Sequence, residues 1–420
     1  GYAGGYVDIL GDKANAVRLT DMEANNRHKN WRIFGNAYLE IEPIKALVLK
    51  SSFGLNYSNG FNSTFVPKWQ EGSRKVETNE LTVREDNSLQ WVWANTINYA
   101  KDFGKHSINA LIGMEAKKEN GEHVQGYGRG LIIEDLDYRY LDAVTDGKDV
   151  SNNSSSYAMV SYFGKVNYAY DEKYLVSGTL RRDASSRFGN GNNSAIFPSV
   201  SAGWRISREN FMETTSNWLS DLKLRASWGI NGNDMIDNSA TYSLYYVDMN
   251  TGSYNFSGDG KTLSPGVIKT MSGNNNLKWE QTEQFNIGID AAFLDNRLGV
   301  TMDYFKKKTK DMLIQKPYIA AIGEGGYKWY NAASMDNNGV EATITWHDKI
   351  NDFNYEVAFN VSYYHNEITD LPEEVKYTWG GGDGISKTII GQSYGSWMAY
   401  KTDGIFRTKE EVYEYLSKYD

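Results

Sequence analysis

Apolar and polar side chains alternate residue by residue over long stretches of this chain. Between Tyr157 and Asp171 the two parities differ: one face carries Ala158, Val160, Tyr162, Gly164, Val166, Tyr168 and Tyr170, and the other carries Ser161, Lys165, Asn167 and Asp171. The same division recurs at 222–230 and 353–363. A period of two places successive side chains on opposite faces of an extended strand. The pattern therefore predicts β-strands with one apolar and one polar face.

The alternating segments pair into six predicted hairpins. Their strands span 31–42 with 44–58, 87–100 with 105–119, 156–170 with 174–186, 196–208 with 220–231, 280–294 with 297–312, and 337–348 with 352–367. Short turns join the strands of most pairs, whereas long segments separate the pairs, at 59–86, 120–155, 232–279 and 313–336. Short turns at one rim and long loops at the other are typical of bacterial outer-membrane barrels, on the periplasmic and extracellular sides respectively.

A soluble β-sandwich also alternates, so alternation alone leaves two interpretations of the apolar face: a protein core or a lipid contact. The connections favour the barrel. Its apolar face must then lie outside, because Arg181, Arg205 and Lys223 would otherwise face lipid at roughly 2 to 4 kcal/mol each near the midplane. Arg182 is an exception, since it shares the face of Leu180. It lies at the loop end of its strand, where it can reach headgroup phosphates.

The composition is compatible with a membrane β-barrel. The 420 residues include 30 Tyr, 12 Trp and 40 Gly but only 6 Pro, and the mean hydropathy is -0.58. A spanning strand needs only about 10 residues, half of them apolar, so low hydropathy does not exclude a membrane protein. The absence of cysteine excludes a disulfide scaffold and a thiolate metal site. A net charge of -9 without a basic stripe argues against a nucleic-acid partner.

Several longer stretches carry a family resemblance. The segment YLVSGTLRRDASSRFG at 174–189 is followed by FPSVSAGWRIS at 197–207. Further segments follow in order: LKLRASWG at 222–229, NLKWE at 276–280, IGID at 287–290, NNGVE at 337–341 and YKTDGIF at 400–406. As a set, they resemble the barrel of SusC/RagA-type TonB-dependent outer-membrane transporters, and they cover most of residues 155 to 420.

The resemblance implies an all-β fold, a transmembrane antiparallel β-barrel of the cell outer membrane. About 12 strands are visible of the roughly 22 that plugged transporters of this kind possess. We expect residues 1–420 to be a β-barrel portion with long extracellular loops, an internal fragment without the plug, the N-terminal extension with its TonB box, and the C-terminal strands. A barrel of this size cannot close from these strands alone.

The same resemblance implies the function. It is TonB-dependent import of oligomeric nutrients, glycans or peptides, across the outer membrane. The implied partners are a SusD-like surface lipoprotein, the TonB complex, the oligosaccharide or peptide substrate, and outer-membrane lipid. Loops 232–279 and 368–420 are expected to form the surface on which the lipoprotein closes. The alternative interpretation is a passive outer-membrane porin or a barrel-type outer-membrane enzyme.

No catalytic constellation emerges from the sequence. Residues 391–395 match the pattern G-x-S-x-G, but that motif needs a strand-to-helix elbow of an α/β fold. The five histidines lack metal-site spacing, and the glycine-rich stretch 380–384 lacks the Gly-Lys-Ser/Thr of a phosphate loop. We therefore predict no enzyme activity, no metal and no cofactor. The capping-box spacing of Thr408 and Glu411 predicts a short helix near residue 412.

Aromatic residues in the predicted loops are the candidates for ligand binding. They are Trp69, Tyr242, Tyr245, Tyr246, Trp329, Tyr330 and Trp379. Flat aromatic faces stack on saccharide rings, and a peptide also suits such a surface. The alternative is that these rings pack loops against one another or against the lipoprotein, and for each single residue this interpretation is the stronger one.

Overall fold

A computed structural model describes residues 16–24, 26–71, 74–248, 253–264, 266–317, 327–375, 389–397, 402 and 404–419. The strands are β1 (Arg27–Ile44), β2 (Leu47–Val66), β3 (Trp69–Glu71), β4 (Arg74–Val76), β5 (Glu80–Phe103), β6 (His106–Leu131), β7 (Val144–Tyr170), β8 (Tyr174–Ser185), β9 (Ser194–Arg205), β10 (Leu219–Asn233), β11 (Leu244–Asp248), β12 (Gly266–Met271), β13 (Glu280–Phe293), β14 (Leu298–Pro317), β15 (Tyr327–Ile350) and β16 (Phe353–Asp370). Helix α1 (Ala16–Ala24) precedes them and α2 (Lys409–Tyr419) follows. Neither helix has the length and hydropathy of a membrane-spanning helix.

Twelve of these strands form one antiparallel wall. Each pairs with the preceding wall strand, in the order β1, β2, β5, β6, β7, β8, β9, β10, β13, β14, β15, β16. Within the described part of the chain, β1 and β16 pair on one side only, so the barrel does not close. The predicted all-β fold with about twelve strands is thus confirmed. The remaining strands form the β3–β4 hairpin and the β11–β12 pair, which joins β15 through Met271 and Tyr327.

The register keeps two chemically different faces separate across the whole wall. Leu224 lies opposite Trp204 on one side and Ile289 on the other, whereas Arg225 lies opposite Gly203 and Gly288. Directly opposed residues of an antiparallel ladder share a face. The face of Leu224 is called the apolar face below, and the face of Arg225 the polar face. As predicted, Trp204 and Arg205 lie on opposite faces.

The wall strands differ greatly in length, which corrects the predicted loops. β5, β6 and β7 have 24, 26 and 27 residues, whereas β8 and β9 have 12 each. Much of the predicted loops 59–86 and 120–155 is therefore strand. Only about 10 residues of a tilted strand cross a bilayer. Beyond that belt both faces meet water, so the apolar alternation ends although the hydrogen-bonded ladder continues.

Two further boundaries also differ from the prediction. The predicted loop 313–336 is strand at both ends, because β14 runs to residue 317 and β15 begins at residue 327. The predicted strand 196–208 ends at Arg205, and Ile206 begins a short 3-10 helix. The predicted C-terminal helix is confirmed as α2, where the Glu411 backbone N–H donates to Thr408 Oγ1 at 3.3 Å.

The short turns are tied to one another along their rim. The Lys105 ammonium lies 3.0 Å from Asp171 Oδ2, and it joins the β5–β6 turn to the β7–β8 turn. This hydrogen bond holds the pKa of Asp171 below the ordinary value of an aspartate, and it raises the pKa of Lys105 above the ordinary value of a lysine. Asp171 has a φ of 53°, the left-handed conformation that such tight connections require.

Aromatic side chains gather near the same rim, as an interfacial girdle requires. The rings of Tyr170 and Tyr174 stack with centroids 6.4 Å apart. The Tyr174 hydroxyl donates to Glu209 at 2.6 Å and the Trp204 indole donates to it at 3.1 Å. These two hydrogen bonds lower the pKa of Glu209. The amphipathic rings thus present an apolar body to the wall and a polar tip to the rim.

The two faces predict opposite responses to a cation near mid-wall. Leu180 is on the apolar face and Thr179 is its neighbour on the polar face. We expect Leu180→Arg to destabilise the protein inserted in membrane by about 2 to 4 kcal/mol, and Thr179→Arg to have little effect. A urea titration in phospholipid vesicles measures both. Equal costs for the two variants would contradict the assignment of faces.

Candidate functional site

The structure separates the predicted aromatic residues into two regions. Trp69 lies in β3, which follows β2 near one edge of the wall. The other residues lie towards the opposite edge. Tyr242 precedes β11, β11 contains Tyr245 and Tyr246, and β15 contains Trp329 and Tyr330. Trp379 lies outside the described residues. The six described residues therefore do not form a single site, and the role of all seven in binding stays a prediction.

Three of the predicted aromatics are engaged by neighbouring side chains. The Arg18 guanidinium lies 3.7 Å from the centroid of the Trp69 ring. The Trp329 indole donates a 2.9 Å hydrogen bond to Asp237. The Tyr330 ring is approached by the Lys316 ammonium at 4.6 Å. These contacts agree with the packing interpretation, because each ring already has a partner within the chain.

The tyrosines of the β11 region differ from these three. Tyr242, Tyr245 and Tyr246 are 65%, 62% and 60% exposed. Their ring faces are therefore available to a ligand or a partner, and they are the strongest of the predicted aromatic candidates.

A buried aromatic cluster anchors the segment that carries these tyrosines. The Trp279 ring packs between Phe188, at 5.4 Å, and Phe197, at 5.3 Å. Leu277, Ile236 and Ala240 complete the cluster. The Trp279 indole also donates to the Asn193 carbonyl at 3.0 Å, so the polar edge of the ring is satisfied. Residues 232–279 are thus held at both ends against the β8–β9 connection.

A polar group beside the cluster fixes the start of the same segment. Asp234 Oδ2 accepts hydrogen bonds from the Tyr157 hydroxyl at 2.9 Å and from the Ser185 hydroxyl at 2.7 Å. Arg187 stacks over the Tyr157 ring at 4.1 Å and donates to Asn238 Oδ1 at 2.8 Å. Residues 183–189 are the end of the segment 174–189 that carries the family resemblance. The structure shows that they anchor the start of 232–279, a role that the sequence alone did not reveal.

Several charged side chains of the polar face form ion pairs within the wall. Arg225 donates to Asp290 at 2.8 Å and to Asp303 at 3.0 Å, which joins three strands. Arg181 donates to Asp183 at 2.7 Å, and its guanidinium lies 3.6 Å from Glu115. Pairing lets these side chains line a water-filled interior without leaving an isolated charge against the sheet.

A groove of about 640 Å³ lies on the polar face, where β1, β2, β5, β6 and β7 extend towards the long loops. Its main lining residues are His28, Asn30, Ser58, Asn62, Asp86, Ser88, His123, Asn153 and Ser155, and it is called the polar groove below. Gly60 and Gly121 contribute no side chain to its floor. Hydroxyl, amide and imidazole groups thus face an open space that a polar ligand can enter.

The polar groove was missed at the sequence level. Its residues come from five strands, and Ser, Asn and Gly are common throughout the chain, so no local motif marks them. The register brings them together: Asp86 lies opposite Gly60 and His123, and His123 opposite Asn153. No group of three or more His, Asp or Glu side chains suited to a metal ion occurs among the described residues.

Comparison with known proteins places the sequence in a family of barrels. Residues 2–404 match the family described as TonB dependent receptor-like, beta-barrel. TonB-dependent receptor P3 of Formosa agariphila is 31% identical over 412 residues, which cover 96% of this chain and 40% of that protein. TonB-dependent receptor SusC of Bacteroides thetaiotaomicron is 31% identical over 346 residues, covering 81% of this chain and 33% of that protein.

Solved structures agree with the sequence comparison. The structure of the RagAB peptide transporter matches with a TM-score of 0.75 and 29% identity, and the match covers 86% of this chain and 39% of that one. The structure of the RagAB peptide importer in its open-open state also matches with a TM-score of 0.75, at 27% identity, and the match covers 90% of this chain and 42% of that one. The chain therefore spans about 40% of the length of these relatives.

The anchoring contacts predict a specific effect of removing Asp234. We expect Asp234→Ala to loosen residues 235–278, because the buried hydroxyl of Tyr157 loses its acceptor, at about 1 to 3 kcal/mol. Limited proteolysis of the purified protein should show faster cleavage within this segment. Asp259→Ala is the matched control, since among the described residues Asp259 accepts hydrogen bonds from Thr262, Lys261 and Asn255, all within its own turn. Equal cleavage rates in the Asp234 variant and the wild type would contradict the anchor.

Proposed function

We propose that this chain, which belongs to the TonB-dependent receptor β-barrel family, forms part of an active importer that takes up oligopeptides through the outer membrane. Receptors of this family are outer-membrane barrels. The finer assignment, to peptide cargo and to particular partners, is our proposal. The polar groove is the observation that carries it.

The arrangement of the two faces supports a transport path. The paired charges of Arg225 and Arg181 lie on the polar face, and isolated cations facing lipid would cost roughly 2 to 4 kcal/mol each near the midplane. The polar face is therefore assigned to the lumen. The polar groove lies on this same face near the long loops, where a ligand arriving from outside would first meet the wall.

The chemistry of the groove favours a peptide over a glycan. Its lining contains no Trp, Tyr or Phe, although stacking on such rings is the usual way to hold a sugar. Asn and Ser side chains can pair with the N–H and C=O groups of a peptide backbone. Asp86 is already held by Arg84, and His28 by Asn62 and Glu23, which fixes the orientation of these polar groups at the edge of the groove. The 29% identical structural neighbour is a peptide transporter, which adds support.

A glycan is the second candidate cargo. The exposed rings of Tyr242, Tyr245 and Tyr246 supply the flat surfaces that the polar groove lacks. We propose that the segment carrying them also faces a SusD-like surface lipoprotein, and that a TonB complex supplies the energy for uptake. Met235 and Phe256, 78% and 81% exposed, extend the apolar area available to such a partner.

Peptide uptake tests the proposed groove. The side chains of Asn153 and Ser155 are on the polar face of β7, which forms the groove. Ser154, between them, also borders the groove, but strand alternation places its side chain on the opposite face. We expect Asn153→Ala combined with Ser155→Ala to weaken binding of a labelled oligopeptide mixture roughly tenfold, through loss of two hydrogen bonds. Ser154→Ala should bind and transport as the wild type does. Unchanged uptake in the double variant would show that the polar groove is not part of the transport path.

The energy source is tested separately. In cells that carry the full-length protein but lack TonB, we expect uptake to fall to the level of cells without the transporter. The barrel should still be inserted and should still shift on gels after heating. Persistent uptake would identify a passive pore instead.

Replacing Tyr242, Tyr245 and Tyr246 together by Ala tests the second cargo. These rings are exposed, so we expect the barrel to stay intact and peptide uptake to change less than twofold, an amount within about 0.5 kcal/mol. Measurement of growth on oligosaccharides alongside growth on peptides distinguishes the two cargoes. Loss of growth on an oligosaccharide, with peptide growth unaffected, would favour the glycan.

A further inference from the structure

The apolar face carries an open groove of its own. This groove, of about 880 Å³, crosses β1, β2, β5, β6, β7 and β8 and reaches Ile196 of β9. Its walls are mainly aliphatic, formed by Leu39, Ile41, Leu49, Ile97, Ile112 and Leu180. It is called the apolar groove below. A lipid-facing surface that is concave offers an acyl chain more contact than a smooth one does.

Gly164 opens the middle of the apolar groove. It lies between Ile112 and Leu180 in the ladder. A Cβ atom at this position would meet only ordinary contacts, the nearest being Ile112 Cγ2 and the Leu111 carbonyl oxygen, both at 3.8 Å. Packing therefore does not require glycine here. Its missing side chain instead leaves space that a larger residue would fill.

Arg182 lies at the loop-side end of the apolar groove. It is opposite Tyr162 and Ile196, so it belongs to the apolar face. The guanidinium donates to the Ser194 hydroxyl at 3.0 Å, and it forms no ion pair with any acidic side chain in the described segments. A cation on a lipid-facing surface is costly unless an anion accompanies it. The apolar groove thus ends at a charge for which the described part of the chain supplies no acidic partner.

The height of Arg182 indicates which leaflet supplies that anion. It is eight residues beyond Tyr174, the first residue of β8 at the short-turn rim (182 − 174 = 8). At about 3.3 Å per residue and a tilt of about 45°, Arg182 stands roughly 19 Å above that rim, within an apolar band about 25 Å tall. It is therefore close to the headgroups of the leaflet on the long-loop side.

We propose that the apolar groove binds a phosphate-bearing lipid of the leaflet on the long-loop side, with an acyl chain over Gly164 and a phosphate on Arg182. Guanidinium groups bind phosphate through paired, charge-assisted hydrogen bonds. This inference rests on the membrane orientation assigned under the proposed function.

Lipid binding to the full-length protein tests the proposal. The protein is purified in detergent, stripped of lipid and titrated with lipid A, and the bound lipid is counted by native mass spectrometry. We expect Arg182→Gln to weaken lipid A binding roughly tenfold, through loss of a charge-assisted hydrogen bond. Gly164→Leu should weaken it by a similar factor because the new side chain occupies the groove. Heat-modifiability on gels establishes that both variants are folded.

Lys306 provides the matched control. It is exposed on the apolar face opposite Phe285, also eight residues from the start of its strand (306 − 298 = 8), but it does not line the groove. Lys306→Gln should bind lipid A as the wild type does. Wild-type affinity in both the Arg182 and Gly164 variants would overturn the proposal, as would equal affinity for lipid A and for dephosphorylated lipid A.

Peptide uptake in the same variants keeps this inference distinct from the proposed function. We expect Arg182→Gln and Gly164→Leu to transport peptide at the wild-type rate, since both residues lie on the face away from the lumen. Wild-type protein that binds lipid A at the apolar groove but transports no peptide would contradict the function alone. Protein that transports peptide but binds no lipid A would contradict the groove alone.

Discussion

The hydrogen-bonded ladder between successive strands is the constraint on which the rest of this structure depends. A backbone N–H or C=O left unpaired in hydrocarbon costs several kcal/mol, so each strand within the membrane must pair along its length. The ladder also fixes which side chains share a face. A slip of one residue between β9 and β10 would exchange Leu224 for Arg225 on the lipid side. The register is therefore determined jointly by backbone pairing and by side-chain chemistry.

The two faces use this register differently. On the polar face, paired charges such as Arg225 with Asp290 and Asp303 reinforce neighbouring strands, and higher up the polar groove leaves hydroxyl and amide groups open. On the apolar face, large aliphatic residues dominate, and Gly164 interrupts them. Ligand-accessible space on either face arises where side chains are small. The backbone ladder of the wall is thus continuous, and the positions of small side chains determine where a ligand can bind.

The sequence predicted the fold well where lipid and water impose different demands on alternate residues. The strand predicted at 174–186 is β8, Tyr174–Ser185. The extensions of β6 and β7 past residues 119 and 156 were not predicted, because both faces are wet there and no periodic pattern survives. The site was harder to predict. Trp279 and Phe188 are 91 residues apart in sequence (279 − 188 = 91), and only the folded chain shows that they meet. Trp69 was a candidate for ligand binding with packing as the stronger interpretation, and the residue that packs on it, Arg18, comes from a distant segment.

The buried cluster of Phe188, Phe197, Leu277 and Trp279 determines which parts of the sequence can vary during evolution. It secures residues 232–279 at their two ends, whereas the exposed tyrosines lie between those ends. Substitutions in the intervening stretch therefore leave the anchor and the strands beneath it intact. Recognition at the surface can change by mutation while folding and membrane insertion stay the same. For the importer proposed above, such a separation lets the barrel acquire new cargoes without first losing its stability.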